Sequence, residues 1–332
     1  MLDGAMDPKA IGKAAAERRF PAVALTDRNG LYAVMPFSDA CMATGVQPII
    51  GTMLAVARPD TPDGAQPTTD WLALYAQDEE GYANLCKLVS TAHLDRPIDR
   101  DPHVTFAALE KYNAGLICLT AGGEGGLTRM LAQGQQHAAD RYLARLKDVF
   151  IDRLYLELCR RGDADETAAE AALIALADTH PLPLVATNPC CFEEPSFHPA
   201  HDAMLCIAQS SYVESDDRRK SSPEAWLKSS EAMEDLFSDI PEAIRNTLVI
   251  AQRCAVAAPH RDPILPSLAG DRDAEAAQLR LDAHAGLAER LSLYGEMTAE
   301  ERQVYLDRLD FELDVIIQMG FPGYFLIVGD FI

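Results

Sequence analysis

The chain has 332 residues, 48% of them hydrophobic and 24% charged, a globular composition sized for one large domain and part of another. Its 29 Lys and Arg stand against 51 Asp and Glu, a formal charge of −22. A surface that grips nucleic acid displaces counterions with clustered cations, so this chain is excluded as the main DNA-contacting surface, though not as part of a DNA-handling protein whose basic channel lies elsewhere.

The N-terminus, "MLDGAMDPKAIGKAAAERRF", lacks the apolar core of a secretory signal. Asp7 and Pro8 read as the cap and first residue of a helix through "KAIGKAAAERR". A strand at 22–25 stops at Thr26-Asp27; a turn, a helix at 31–44 and a strand at 46–50 follow. A Pro/Asp/Gly/Thr-rich connection, "RPDTPDGAQPTTD", leads to a strand at 71–76 and a helix at 79–92. Residues 115–121 read as a strand ending in the Gly-rich "GGEGG"; helical stretches then run to about Val149. A strand at 153–158, a helix at 165–179, a strand at 183–187 and a helix near 199–209 complete the alternation. This β-then-α rhythm predicts parallel strands with crossover helices, closed as a barrel-like (β/α) array. Chemistry in such barrels sits at the C-terminal strand ends, which here present Asp27, Gly51, Thr120, Glu157 to Arg161 and Asn188 to Cys191.

A polar segment covers 210–226, helices follow through Cys254, and "AAPHRDPILPSLAGDRD" reads as a proline-rich linker. Thr298 and Glu301 form a capping box. The helix they start carries Leu306, Leu309, Leu313 and Ile316 as one buried stripe and stops near Gly320, since Pro322 cannot continue it. The aromatic stretch after it, "GYFLIVGDFI", is too short to span a bilayer. It has nothing following to pack against, which predicts truncation inside a second domain. The eight cysteines (Cys41, Cys86, Cys118, Cys159, Cys190, Cys191, Cys206 and Cys254) show no C-x-x-C spacing. They are expected to be reduced and buried, in a cytoplasmic protein without a membrane anchor.

Several of these stretches, in this order, resemble the alpha subunits of bacterial DNA polymerase III. They are "FPAVALTDRNGLYAVMPFSDACMATGVQPIIG", "AQDEEGYANLCKLVS", "GLICLTAGGEGGL", "YLELCRRGDADE", "LPLVATN", "AHDAMLCI", "LFSDIPEAIRNTLVIAQRC" and "ELDVIIQMGFPGYFLIVGDFI". "QMGFPGYFLIV" is the most specific of them. The resemblance implies an α/β chain. Residues 1–258 would form the polymerase-and-histidinol-phosphatase (PHP) domain, a distorted (β/α)7 barrel lacking its first strand motif. Residues 259–332 would be a linker and the beginning of an α+β polymerase palm region. The family's His-x-His would precede "MLDG", and its catalytic aspartates, with their Mg²⁺, would lie beyond Ile332, so no catalytic residue and no cofactor is expected within the chain. DNA would be reached through missing domains. A proofreading exonuclease subunit, the sliding clamp and clamp-loader subunits would be partners of the full protein.

Metal-bearing PHP barrels use His, Asp and Glu from strand ends to hold divalent ions that activate water. Against that pattern Arg28 stands in a histidine place, Met53 in a glutamate place and Arg161 in another histidine place. The Asn-Asp-x-His-Tyr motif becomes Asn188-Pro189-Cys190-Cys191-Phe192, so Cys191 takes the imidazole's place. Asp27 alone matches. A catalytic zinc needs about three protein ligands, and a guanidinium about 4 Å from a divalent ion costs roughly 8 kcal/mol at an effective dielectric near 20. The expectation is a vestigial, metal-free pocket of Asp27, Arg28, Met53, Glu157, Arg161, Asn188 and Cys191, with the arginines paired to Asp27 or Glu157. Two rivals remain: an active metal-dependent phosphoesterase or exonuclease, and an error-prone polymerase relative. Elsewhere, Cys190-Cys191 reads as strand-end packing, His201-Asp202 as a capping and packing pair at a helix start, "AGGEGG" as a flexible barrel loop without the P-loop's Lys-Ser/Thr, and "DDRRK" (216–220) as a solvated loop.

Overall fold

The computed structural model describes residues 3–59, 68–261 and 266–332. The middle of the proline-rich connection before the third strand, and residues 262–265 of the expected linker, lie outside the described residues. The chain forms two compact units, Met1–Pro259 and His260–Ile332.

In the first unit the order is α1 (Pro8–Glu17), β1 (Ala22–Arg28), α2 (Val34–Ala43), β2 (Gln47–Ala57), β3 (Thr69–Ala76), α3 (Glu79–Leu94) and α4 (Phe106–Lys111). Then come β4 (Leu116–Leu119), α5 (Gly126–Ala132), α6 (Gln136–Phe150), β5 (Leu154–Leu158), α7 (Ala164–Thr179), β6 (Leu184–Ala186), α8 (His198–Gln209), α9 (Ser230–Leu236) and α10 (Pro241–Arg253). Helix starts follow local chemistry. The carboxylates of Asp7, Asp78 and Asp163 accept from backbone N–H groups of the first turns of α1, α3 and α7, satisfying donors that have no partner inside the helix.

The six strands pair in sequence order, β1 to β6, as the curled sheet of a PHP-type distorted barrel. The expectation of uniformly parallel strands needs correction at β3. β1–β2, β4–β5 and β5–β6 are parallel, but β3 runs antiparallel to both β2 and β4. The reason is the connection: no helix lies between β2 and β3 among the described residues, and the Arg58 amide bonds the Thr68 carbonyl across the gap at 2.9 Å. A parallel neighbour needs a crossover, whereas a direct return makes a hairpin. β2 also runs six residues past Gly51, because Thr52 to Ala57 pair with β3.

Alternation sorts the strand residues between two faces. Ile50, Leu72, Leu74, Leu116, Cys118, Leu154, Leu156 and Leu184 join the main core with α3, α6 and α7, whereas Ile49, Ala73, Ile117, Leu119, Tyr155 and Val185 meet Ile250 of α10 and Cys254 just after it. β4 and β5 are buried at every residue, which is why they read as continuous apolar runs. All eight cysteines are free thiols, five of them buried.

The second unit is helical throughout its described elements: α11 (Arg272–Ser292), α12 (Ala299–Met319) and α13 (Pro322–Phe331). The Thr298–Glu301 capping box forms, and Gly320 ends α12 in the left-handed conformation at φ +83°. α12 and α13 meet at a bend of 115°. Leu279, Leu313 and Leu326 form the core, with Leu309 and Ile316 against it. Leu306, on the same stripe, is only partly buried. No single helix among the described residues is long and apolar enough to cross a membrane.

The turn after β4 is sterically clamped: a Cβ on Gly125 would lie 1.7 Å from the Thr120 carbonyl oxygen, although its φ of −76° suits any residue. Gly125→Ala is therefore expected to cost about 1–3 kcal/mol by overpacking alone. Urea unfolding measures this; an unchanged midpoint would show the turn is free to move.

Candidate functional site

The C-terminal strand ends and the loops beyond them gather three arginines and three carboxylates into one network. Arg28, at the end of β1, donates to Glu124 at 2.7 Å and pairs with Asp3 at 3.0 Å. Its guanidinium also lies 4.7 Å from the centroid of the Trp71 ring, within cation–π range. Arg161, after β5, pairs with Glu166 of α7 at 2.8 Å, and its own amide donates to the other Glu166 oxygen at 3.0 Å. Arg219, from the polar segment after α8, pairs with Asp3.

The arginine partners therefore differ from those expected. Neither Asp27 nor Glu157 carries the pairing; Glu124, Asp3 and Glu166 do. Asp27 is used locally: its Oδ2 accepts from the Ala33 amide at 3.1 Å, fixing the turn into α2. Glu157 points into the barrel, 3% exposed, where its carboxyl accepts from the Thr187 hydroxyl. A side chain alternating inward from β5 cannot reach a guanidinium that leaves the strand end outward and meets the first turn of α7.

The other expected pocket residues are also placed. Met53 sits opposite Arg28 in the β1–β2 register and packs on the Ile49 cluster. Asn188 donates to the Trp226 carbonyl at 2.9 Å. Cys191 is held through its backbone, accepting from Ala5 at 2.7 Å and donating to Ala225 at 2.8 Å. Burial pushes its thiol pKa up, against the lowering effect of Arg219, Arg161 and Arg28, and that of Cys190 is pushed up to about 12 by burial. Neither is an activated thiolate.

Burial by itself would raise the pKa of Glu124, but hydrogen bonding and the charge of Arg28 outweigh it and hold the group below the usual carboxylate range. Glu157 goes the other way: burial raises its pKa, only partly countered by Thr187 and the charge of Arg161. Among the described residues no group of three or more His, Cys, Asp or Glu side chains is arranged to hold a metal ion.

Four participants, Asp3, Glu124, Glu166 and Arg219, were not legible as partners in the sequence. Glu124 carried a weak signal, a lone acid inside the glycine-rich turn after β4. "DDRRK" is likewise more than a solvated loop: Arg218, with its side chain 5% exposed, pairs with Asp202 at 2.6 Å. That pair holds the Asp202 carboxyl down at about 2. His201 beside it is buried and bridges the Ser221 hydroxyl, at 2.7 Å, to the Asp3 carbonyl, at 2.9 Å. The expected packing holds for the buried His201, while the expected capping gives way to a brace between α8, the polar segment and the N-terminal residues.

Comparison with known proteins adds an independent line. The PHP domain family matches residues 1–161, and the family described as the bacterial DNA polymerase III alpha NTPase domain matches residues 277–332. Over its whole length the chain is 44% identical to the DNA polymerase III subunit alpha of Caulobacter vibrioides, 38% to that of Pseudomonas fluorescens and 35% to that of Rickettsia bellii. It spans 28–29% of the length of these relatives. Among solved structures, an amidohydrolase from Chromobacterium violaceum aligns with 55% of this chain and 82% of its own at 15% identity and a TM-score of 0.36, a likeness too low to argue from.

Removing Arg28 tests the network. Glu124, with its pKa depressed in the folded chain, contributes stability that is present above the ordinary carboxylate pKa and lost as pH falls through its folded value. Arg28→Gln is therefore expected to cost about 1–2 kcal/mol at pH 7, discounted for the one-third exposure of Glu124. The cost should shrink in acid, once the pH has fallen through the depressed folded value of Glu124 and the group is protonated in either variant. Urea unfolding at the two pH values checks this; an equal loss at both would assign the effect to packing on Trp71.

Proposed function

We propose, for a chain that carries the PHP domain and part of the polymerase domain of the bacterial DNA polymerase III alpha family, that it is the scaffold portion of a replicative DNA polymerase subunit. The full protein, on this reading, extends DNA by nucleotidyl transfer in the cytoplasm. Its Mg²⁺ is held by residues outside this chain, and DNA is contacted there too, consistent with the charge of −22. Sliding clamp and clamp-loader subunits engage the full protein, and a proofreading exonuclease subunit docks on the PHP barrel.

The reading of the barrel as metal-free and catalytically inactive is carried by one observation: guanidinium groups of Arg28 and Arg161 occupy the strand ends and are already neutralised by Glu124, Asp3 and Glu166. The donors that remain do not fit a metal cluster. Asp27 Oδ2 is engaged by the Ala33 amide, and Glu157 is buried beside Thr187 with a raised pKa. A site that activates water needs about three protein ligands and an open position. Paired guanidiniums provide rigidity instead, and a rigid barrel end suits a domain that supports a polymerase core.

Two measurements test this reading. Titration of the chain with Mn²⁺ or Zn²⁺ should show no stoichiometric uptake and no phosphatase or 3′-exonuclease activity; binding of two or more ions with such activity would replace the scaffold by a metal-dependent phosphoesterase. In a pull-down, the exonuclease subunit from the same organism should be retained by the chain, and an absence of binding at tens of micromolar would remove the docking role.

A further inference from the structure

A cavity of about 380 Å³ lies between α1 and the residues that follow β6, and no member of the arginine network lines it. Its volume falls within the range of about 300–1,000 Å³ typical of ligand pockets. The floor is apolar, with Phe192 and Ile11 both buried. Phe197 stands in the wall, its ring centroid 6.5 Å from that of Phe192, and remains 41% exposed. An aromatic left half in water beside a buried one marks apolar surface still available for burial.

The walls are tied to each other across the sequence. The Ala5 amide donates to the Cys191 carbonyl at 2.7 Å. Arg18, just after α1, reaches Glu193 at 3.2 Å and Glu194 at 3.0 Å. The rim is acidic: Asp7, Glu193 and Glu194 line the cavity, no Lys, Arg or His does, and Arg18 offsets one charge of the three. The Asp7 carboxylate already takes the anion-attracting start of α1, accepting from the Lys9 amide at 3.0 Å. A second anion would meet only repulsion there.

We propose that this cavity is a docking site for a short peptide segment of a partner protein. The segment sets an aromatic side chain against Phe192 and Phe197 and a flanking Lys or Arg against the acidic rim. Charge complementarity names the occupant: a rim with two uncompensated negative charges over an apolar floor selects a cation attached to an apolar anchor. The buried aromatic supplies most of the affinity, and the rim supplies the preference for positive flanks. Because the walls are joined before any ligand arrives, little ordering is left for binding to impose. The inference goes beyond the scaffold reading and stands whether or not an exonuclease subunit docks on the barrel.

Isothermal titration of the chain with the probe acetyl-Lys-Phe-Arg-amide tests the assignment. Saturable binding is expected at about millimolar concentration. It should weaken at least about tenfold for acetyl-Lys-Ala-Arg-amide, which lacks the anchor, and for acetyl-Glu-Phe-Glu-amide, which inverts the charge. A similar loss is expected in Ala10→Trp, which puts an indole into the cavity from an exposed position on α1. Glu193→Gln combined with Glu194→Gln should weaken the cationic probe about threefold or more, so the test stands even if the tryptophan variant fails to fold. Absence of binding, equal binding of the alanine or the acidic peptide, or unchanged binding in either variant would each overturn the proposal. Self-association of the parent chain in sedimentation that Ala10→Trp abolishes would also overturn it, assigning the cavity to a second copy.

Discussion

The strand ends of this barrel are governed by charge compensation between guanidinium and carboxylate groups that are largely withdrawn from water. Arg28 is held by Glu124 and Asp3, and Arg161 by Glu166. Each pair loses hydration on folding and regains it through charge-assisted hydrogen bonds. Breaking one partner strands the other in a poorly solvated place, so the network tolerates loss badly even though its net stabilisation is modest. The turns around it inherit that constraint. Gly125 has no room for a Cβ because the turn must bring Glu124 back over Arg28.

Glu157 and Glu166 show how position decides what an acid does. Both are buried and only nine residues apart, yet Glu166 sits in the first turn of α7, where the Gly123 and Arg161 amides and a guanidinium satisfy it. Glu157 alternates inward from β5, where the Thr187 hydroxyl and the Ala121 backbone only partly offset its burial. Desolvation therefore dominates for Glu157 and raises its pKa. By linkage, what its folded environment contributes to stability is present at low pH and lost as pH rises through that raised value. The barrel interior and the barrel rim thus respond to pH in opposite directions, since the depressed Glu124 loses its contribution on acidification.

The N-terminal residues are part of the rim rather than an appendage. Asp3 pairs with Arg28 and Arg219 through its carboxylate and receives His201 through its carbonyl, while the Ala5 amide bonds the Cys191 carbonyl. Four segments distant in sequence meet there: the start of the chain, the end of β1, the residues after β6, and the polar stretch following α8. Cys191 lies at their junction, with its thiol pKa pushed up by burial.

Local pattern was sufficient for the α/β alternation, the caps at Asp7 and Thr298 and the stop at Gly320, because each depends on residues within a few positions of one another. Arg28 and Arg161 stood out only against the histidine places that the family resemblance implies. Partner choice was decided only by the folded chain: Arg28 met Glu124 across 96 positions of sequence, and not its neighbour Asp27, because strand geometry turns adjacent side chains to opposite faces. The antiparallel run of β3 was hidden in the same way, since an apolar strand reads alike in both directions and its connection sets the sense. Residues far apart in sequence acquire a common electrostatic environment only when the sheet curls, and no one-dimensional spacing records that.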